Sequence, residues 1–549
     1  NARHTGRARF LLGANDGVLP AAENRGGVLR DEDREALERQ QIFLAPHGME
    51  QFHLEIQNLY AALAQPTEKL TVSYPVSDGK GAEKRPSFVI GRIARLLPSI
   101  SVETESADKE YRLSAKSTAL EYAGEHIGGA LWQYFEGQGD AERALAAMRD
   151  ASRYTRGHLS RDAVHALYGG AVTLSASRMD MARSCHFAYF MRYGLKARER
   201  TGAGFDAPQI GTFVHDVMEH TLRQAKECGG LHTLSKDKLH ALVRASIEEY
   251  IDRVLPDLCE KSARFRYLFN RLCAMVERIM DEVSEELQSS DFEPLAFELE
   301  FGADGQLPAI TIREENGTAR VVGKVDRVDG WLHDGKLYLR VVDYKTGKKS
   351  FDLAELRYGL GLQMLLYLFT LREEGQMLFG GHEIVPAGVL YTPAREPMLR
   401  CARDTEPEKI EKALKKELRR SGMVLEDPAV LQAMEHSALE SPCYLPIAVK
   451  RDGAVTGSLA SAEQLGKLSK YVDHILHEIT QEVFAGNIDA DPYARTPQQS
   501  ACTYCEIASA CHFENGCGSD RMEYIKATKN DEFWQYIDEV NGEGAHENG

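Results

Sequence analysis

Residues 318–347 read TARVVGKVDRVDGWLHDGKLYLRVVDYKTG. Apolar and polar positions alternate on both sides of His333-Asp334-Gly335. That pattern predicts two strands, 318–331 and 336–347, paired across a tight turn. Asp326 stands on the first strand, and Asp343-Tyr344-Lys345 ends the second. Residues i and i+2 of a strand share a face, so Asp343 and Lys345 project together while Tyr344 points away. Two carboxylates can bind Mg²⁺, which keeps several waters and takes substrate phosphate as a further ligand. A lysine beside them can orient the attacking water and stabilise charge on the phosphate. Phosphodiester hydrolysis needs this set of groups. Taken alone, Asp-x-Lys also fits a surface ion pair at a strand end.

The flanking segments extend the pattern. GTFVHDVMEHTLRQ at 211–224 reads as a helix carrying His215, and FELEFG at 297–302 alternates like a strand. A long helix is expected over 353–374, followed by a strand, VPAGVLYTP, at 385–393. The predicted order is α-β-β-β-α-β. Gln363 and Tyr367 are four residues apart on one helix face and can reach the same site. His215 by itself also reads as a core histidine with satisfied partners.

The chain has 549 residues, too many for one core, so two or more domains are expected. Apolar residues at 43% and charged residues at 27% describe an ordinary globular composition. No signal-peptide pattern opens the sequence. Its longest apolar stretch, LQMLLYLFTL at 362–371, contains Gln363 and is too short to span a bilayer. A cytoplasmic protein with no membrane partner is expected. A net charge of −17 argues against a generic nucleic-acid binder. Basic patches occur at 192–200, 343–350 and 412–420, the last reading as a solvated helix face. Six of the ten cysteines are scattered singly, a density that fits a reducing compartment with a metal site. The other four, Cys502, Cys505, Cys511 and Cys517, fall within ACTYCEIASACHFENGC. Their spacing alone fits a local zinc site that includes Cys517.

GTFVH, GKVDRVD, VVDYKTG and GLQMLLY, in that order, resemble the motifs of RecB-like PD-(D/E)xK nucleases. The resemblance implies a Mg²⁺ site built from His215, Asp326, Asp343 and the Tyr344 carbonyl. It makes Lys345 catalytic, with Gln363 and Tyr367 supporting the site or contacting DNA. Asp329 is the rival to Asp326, which the Gly-x-x-Asp spacing from Gly323 favours. SASRMDMARSCHFAYFMRYGL at 175–195 resembles the segment that precedes the core in the iron–sulfur branch of this family. Cys185, Cys502, Cys505 and Cys511 would then hold a [4Fe–4S] cluster. Cys185 and Cys502 lie 317 positions apart, so the cluster would staple two distant ends of the domain. The remaining cysteines, Cys228, Cys259, Cys273, Cys401 and Cys443, read as plain structural residues.

The beginning of the chain carries a second resemblance. RARFLLGANDGVLP at 7–20 and NLYAALAQPTEKLTVSY at 58–74 are similar to late motifs of UvrD-like superfamily 1 helicases. Ala64-Gln65 stands where active members carry Thr-Arg, and no Walker A sequence occurs. The expected organisation is α/β throughout. Residues 1–170 would be part of an inactive RecA-like helicase domain, 171–530 an iron–sulfur nuclease, and 531–549 an acidic tail. Opening on a strand-like run, the chain reads as a piece of a longer protein. The combination resembles the B-subunit family of bacterial AddAB helicase–nucleases. It implies a heterodimer with an AddA-type motor subunit, and DNA ends and single strands as substrates in double-strand-break repair by homologous recombination. The family's Chi recognition belongs to a half that is mostly absent. A free-standing RecB-like exonuclease, a non-catalytic DNA-binding subunit, and a zinc or redox protein are the alternatives.

Without the arginine or a phosphate-binding loop, this chain is expected to show no DNA-stimulated ATP hydrolysis. Phosphate release by the purified polypeptide measures this. Gln65→Arg is expected to leave it at background.

Overall fold

This computed structural model describes residues 6–21, 29, 31–42, 44–45, 48–77, 83–103, 112–153, 155–198, 207–256, 262–302, 305–347, 349–402, 405–496 and 498–547. The chain divides into two compact units, 1–151 and 152–549. The division precedes position 170 because Val164, on the helix Arg161–Tyr168, is buried in the core of the second unit.

In the first unit, Ala8–Leu11 pairs parallel with Lys69–Val72, and the helix Gly48–Ala64 ends just before Gln65. The turn after the first strand is held by buried Asn15, whose Nδ2 donates to the carbonyls of Pro75 (2.9 Å) and Arg85 (3.1 Å). A separate cluster of Trp132, Phe135 and Leu145 joins the helices Lys116–Glu125, Ala130–Phe135 and Asp140–Ser152.

The second unit contains β1 (Ala171–Leu174), α1 (Ala176–Ser184), α2 (Ala207–Glu227), α3 (Ala263–Gln288), β2 (Glu293–Phe301), β3 (Ile310–Glu314), β4 (Gly317–Val321), β5 (Gly323–His333) and β6 (Lys336–Lys345). After these come α4 (Leu353–Arg357), α5 (Gln363–Glu374), β7 (Glu383–Pro393), β8 (Ser421–Leu425), β9 (Leu459–Ala460), α6 (Ala462–Phe484) and α7 (Asn530–Glu547). A six-stranded mixed sheet runs β9-β8-β7-β6-β5-β2, and a smaller one runs β1-β4-β3. β5 and β6 form the expected hairpin, turning at Asp334 and Gly335, both with positive φ. From β6 the chain returns through α5 to β7, which pairs parallel with β6.

Expectations for three further segments change. The run 318–331 is two strands in two sheets, since β4 pairs with β1 and β5 starts the hairpin after Val322. The helix expected over 353–374 breaks at Gly359 and Gly361, both with φ near +70°. Tyr471 Oη donates there to the carbonyls of Leu356 (3.0 Å) and Arg357 (2.8 Å). The segment from Asp531 is no tail, because α7 buries Phe533, Trp534 and Ile537 in the main core.

A charge cluster lies under the sheet. Asp329 and the guanidinium groups of Arg327 and Arg340 have no exposed surface; Asp329 meets both arginines at 2.8 Å. Glu286 of α3 joins them, pairing with Arg420 at 2.7 Å. Arg420 ends the basic patch 412–420 and is buried, which corrects its reading as part of a solvated face. Burial alone would raise the Glu286 pKa; Arg420, Arg340 and Arg327 outweigh that and hold it down to about 2. Its ionised form therefore stabilises the fold above the ordinary carboxylate range, and this contribution fades as pH falls through about 2. Glu286→Gln is expected to cost roughly 3–5 kcal/mol at neutral pH by leaving buried arginines uncompensated. Denaturant unfolding should show the gap to wild type narrowing only below about pH 4.

Candidate active site

Five elements, α2, β2, β5, β6 and α5, meet at the end of the β5–β6 hairpin. His215 projects from α2, with Nδ1 3.3 Å from Asp326 Oδ2 and Nε2 3.0 Å from the Tyr344 carbonyl. A carbonyl only accepts, so Nε2 carries a proton in this arrangement. The same Asp326 oxygen accepts from the Tyr344 amide at 2.9 Å, which locks β5 to β6 beside the imidazole. Asp343, on the same face, lies 2.6 Å from Lys345 Nζ. The Tyr344 side chain points to the opposite face, where its hydroxyl accepts from Arg327 at 2.7 Å. Asp329 takes that opposite face too, engaged by two arginines, and does not reach the site.

Burial pushes the Asp343 carboxyl up to about 6, Asp326 adds to the rise, and Lys345 opposes it. Burial lowers the His215 pKa, but Asp326 outweighs it and the net shift is upward. An electronegative, half-buried pocket of this kind favours a cation.

Gln363 and Tyr367 stand one turn apart on α5, and Gln363 Nε2 donates to Tyr367 Oη at 3.1 Å. Both line a cavity of about 600 Å³ with Lys324, Ser175 and Ser177. The Gly-x-x-Asp spacing has a steric cause: a Cβ on Gly323 would lie 2.5 Å from the Tyr367 ring and 2.6 Å from Phe301. Glycine at 323 lets α5 close on the strand that bears Asp326.

Glu298 of β2 was not foreseen. A ligand atom from each of Glu298, His215 and Asp326 lies within 4.8 Å of the others. The signal was present in FELEFG. Once β2 pairs with β5, Phe297 faces Arg327 and Leu299 faces Val325, which sets Glu298 beside Asp326.

Cys185, at the end of α1, lines a second cavity of about 650 Å³ together with Cys502, Cys505 and Cys511. Burial pushes the Cys185 thiol up to about 12, and burial also raises Cys502 and Cys511. Cys517 is exposed and does not line this cavity. Cys228 and Cys401 are exposed, Cys273 and Cys443 are half-buried, and Cys259 lies outside the described residues. Arg156 supports the cysteine loop. It donates to the Cys511 carbonyl at 3.0 Å, pairs with Asp520 at 2.7 Å, and lies 4.3 Å from the Phe187 ring centroid.

A helix-borne histidine, paired strands carrying Asp and Asp-x-Lys, and a following Gln-x-x-x-Tyr helix define a class of nuclease core. Residues 173–512 match the PD-(D/E)XK nuclease superfamily, and the chain belongs to it. It is 30% identical over 561 residues to the B subunit of the ATP-dependent helicase/deoxyribonuclease of Ruminiclostridium cellulolyticum, covering 98% of this chain and 49% of that protein. The corresponding B subunit of Acetivibrio thermocellus is 32% identical over 558 residues, covering 97% and 48%. That of Caldanaerobacter subterraneus is 30% identical over 571 residues, covering 100% and 49%. The chain spans about half the length of the curated relatives it matches. Among the described residues, no helix is long and apolar enough to cross a membrane.

Proposed function

We propose that this chain is the nuclease-bearing part of a B subunit in a cytoplasmic, heterodimeric helicase–nuclease. Its partner would be an AddA-type motor subunit, and its role resection of DNA double-strand breaks for homologous recombination. The convergence of His215, Asp326, Asp343, Lys345 and the Tyr344 carbonyl at one hairpin end carries the nuclease reading. The similarity to helicase/deoxyribonuclease B subunits along nearly the whole chain supports the assembly.

His215, Asp326, Asp343 and the Tyr344 carbonyl would hold Mg²⁺, and their oxygen-rich, half-buried donor set fits it. Bound there, the ion supplies Lewis-acid polarisation of the phosphate and a more acidic water. Lys345 reaches Asp343 and keeps its ammonium on the side where the phosphate approaches; there it orients the attacking water and offsets charge on the phosphate. Gln363 and Tyr367 form a linked polar pair facing the adjoining cavity and steady the DNA strand. Cys185, Cys502, Cys505 and Cys511 would hold a [4Fe–4S] cluster in the cavity they share, tying α1 to the loop after α6. Residues 1–151 would be the retained part of a helicase domain without ATP hydrolysis.

Asp343→Ala and Lys345→Ala are each expected to cut Mg²⁺-dependent cleavage of single strands and duplex ends by orders of magnitude, with DNA binding retained. Wild-type rates in either folded variant would overturn the assignment. The cysteines have their own test. Cys185→Ala and Cys502→Ala are expected to lose iron and the brown absorbance together, whereas Cys517→Ala keeps both. Protease sensitivity near residues 185 and 502 should rise in the first two, since a long loop is no longer closed. Zinc in place of iron, or metal loss on Cys517→Ala alone, would reject this set.

A further inference from the structure

Two of the basic patches in the sequence, 343–350 and 412–420, come from distant parts of the chain and meet at one edge of the large sheet. Tyr391 of β7 pairs with Asp343 of β6 on one side and with Ser421 of β8 on the other. The Ala394 amide donates to the Lys345 carbonyl at 2.9 Å, which sets Arg395 just past that lysine. Arg419 stands two residues before β8 begins at Ser421. Three adjacent strand ends thus deliver Lys345, Arg395 and Arg419 to one place, where with Lys349 they line a cavity of about 330 Å³.

Four cations line this cavity against one carboxylate, Glu417, in a chain whose net charge is −17. Three of the four have acidic partners. Lys345 is engaged by Asp343, and Lys349 shares Glu355 with Arg495, at 3.5 and 3.0 Å. Arg395, with its side chain 19% exposed, meets Glu417 at 3.3 Å. Arg419 differs. Its Nη2 donates to the Pro442 carbonyl at 2.5 Å, its Nε is buried without a hydrogen-bond partner, and among the described residues no carboxylate pairs with it. A guanidinium held by a neutral carbonyl keeps its whole charge for an anion, and its planar fork matches phosphate. Lys345 belongs both to this cavity and to the site where the phosphate to be cut approaches. The anion found beside one phosphodiester of a strand is the next phosphodiester.

We propose that this cavity is a second phosphate site, holding the phosphodiester that adjoins the scissile one on the DNA strand being cut, with Arg419 and Arg395 as its ligands and Lys349 beside them. This rests on the nuclease reading above and names a substrate contact for it. Glu417 competes with the phosphate for Arg395, so removing its charge strengthens the site.

The probe is an end-labelled single-stranded oligonucleotide, bound to the full 549-residue chain without divalent ions and followed by fluorescence anisotropy; steady-state cleavage with Mg²⁺ gives KM and kcat. Arg419→Gln is expected to weaken binding several-fold and to lower the slope of log affinity against log salt by about 0.7, one phosphate contact. Its loss in kcat/KM is expected to fall on KM. Arg419→Lys keeps the charge and should keep the slope. Glu417→Gln is expected to tighten binding several-fold by freeing Arg395, whereas Glu408→Gln, exposed on the same helix Pro407–Glu417, should change it little. A purely structural Arg395–Glu417 pair would not produce that difference. Wild-type KM and salt slope in folded Arg419→Gln overturn the proposal, as does equal tightening in the two glutamate variants. If Arg419→Gln fails to fold, Glu417→Gln decides: tightening beyond Glu408→Gln supports the site and its absence overturns it. If Asp343→Ala abolishes cleavage while Arg419→Gln matches wild type, this inference fails and the nuclease reading stands. Cleavage by Asp343→Ala at the wild-type rate refutes that reading and this site with it.

Discussion

Asp329 has no exposed surface and accepts from two arginines that are equally buried, and the second unit is organised around that contact. Arg327 and Asp329 come from β5 and Arg340 from β6, so the contact spans the hairpin and specifies its register. A slip of one residue would turn these charges onto the other face and leave each without a partner. Arg340 and Arg420 extend the network to Glu286 of α3, which ties the helix to the underside of the sheet. Desolvating so many charges is costly, and a hydrophobic core of the same volume would serve stability as well. The charges pair across β5 and β6 in the observed register.

That register matters because the site uses the opposite face of the same residues' neighbours. Arg327 below alternates with Asp326 above, and Tyr344 below alternates with Asp343 and Lys345 above. The Tyr344 hydroxyl is held by Arg327, and its carbonyl meets His215 from α2. The buried network therefore orients a backbone carbonyl of the site through one tyrosine. Gly323 adds the last constraint, admitting the Tyr367 ring where any side chain would collide.

Much of this was readable because the decisive information is local. A hairpin with a positive-φ turn, alternation on both strands and an i, i+4 pair on a helix all lie within 50 residues of one another, and their faces follow from period 2 and period 3.6 alone. What escaped depends on partners far away in the chain. Arg420 looked like one more cation of a basic helix, and only Glu286, 134 residues earlier, makes it a core residue. Glu298 looked like the polar position of an alternating strand until β2 was set against β5. The strand expected over 318–331 divides because β4 finds β1, a strand from far upstream. The final helix was hidden by its acidic composition, although Phe533, Trp534 and Ile537 fall on one face and bury it.

The cysteine cavity shows the same contrast at longer range. Cys185 ends α1, and His186 beside it donates its backbone amide to Asp491 at 3.0 Å, so the start of the unit is already fastened to the segment after α6 by hydrogen bonds. Arg156 fastens it a second time, reaching Asp520 and the Cys511 carbonyl. The lone cysteine and the C-terminal three line one cavity beside these contacts. A group bound by these thiols would add a further closure of the long loop between them, beside the Asp491 and Arg156 contacts. The thiols of Cys185, Cys502 and Cys511, raised by burial, would have to give up their protons to bind it, so metal occupancy in this cavity would be coupled to proton release.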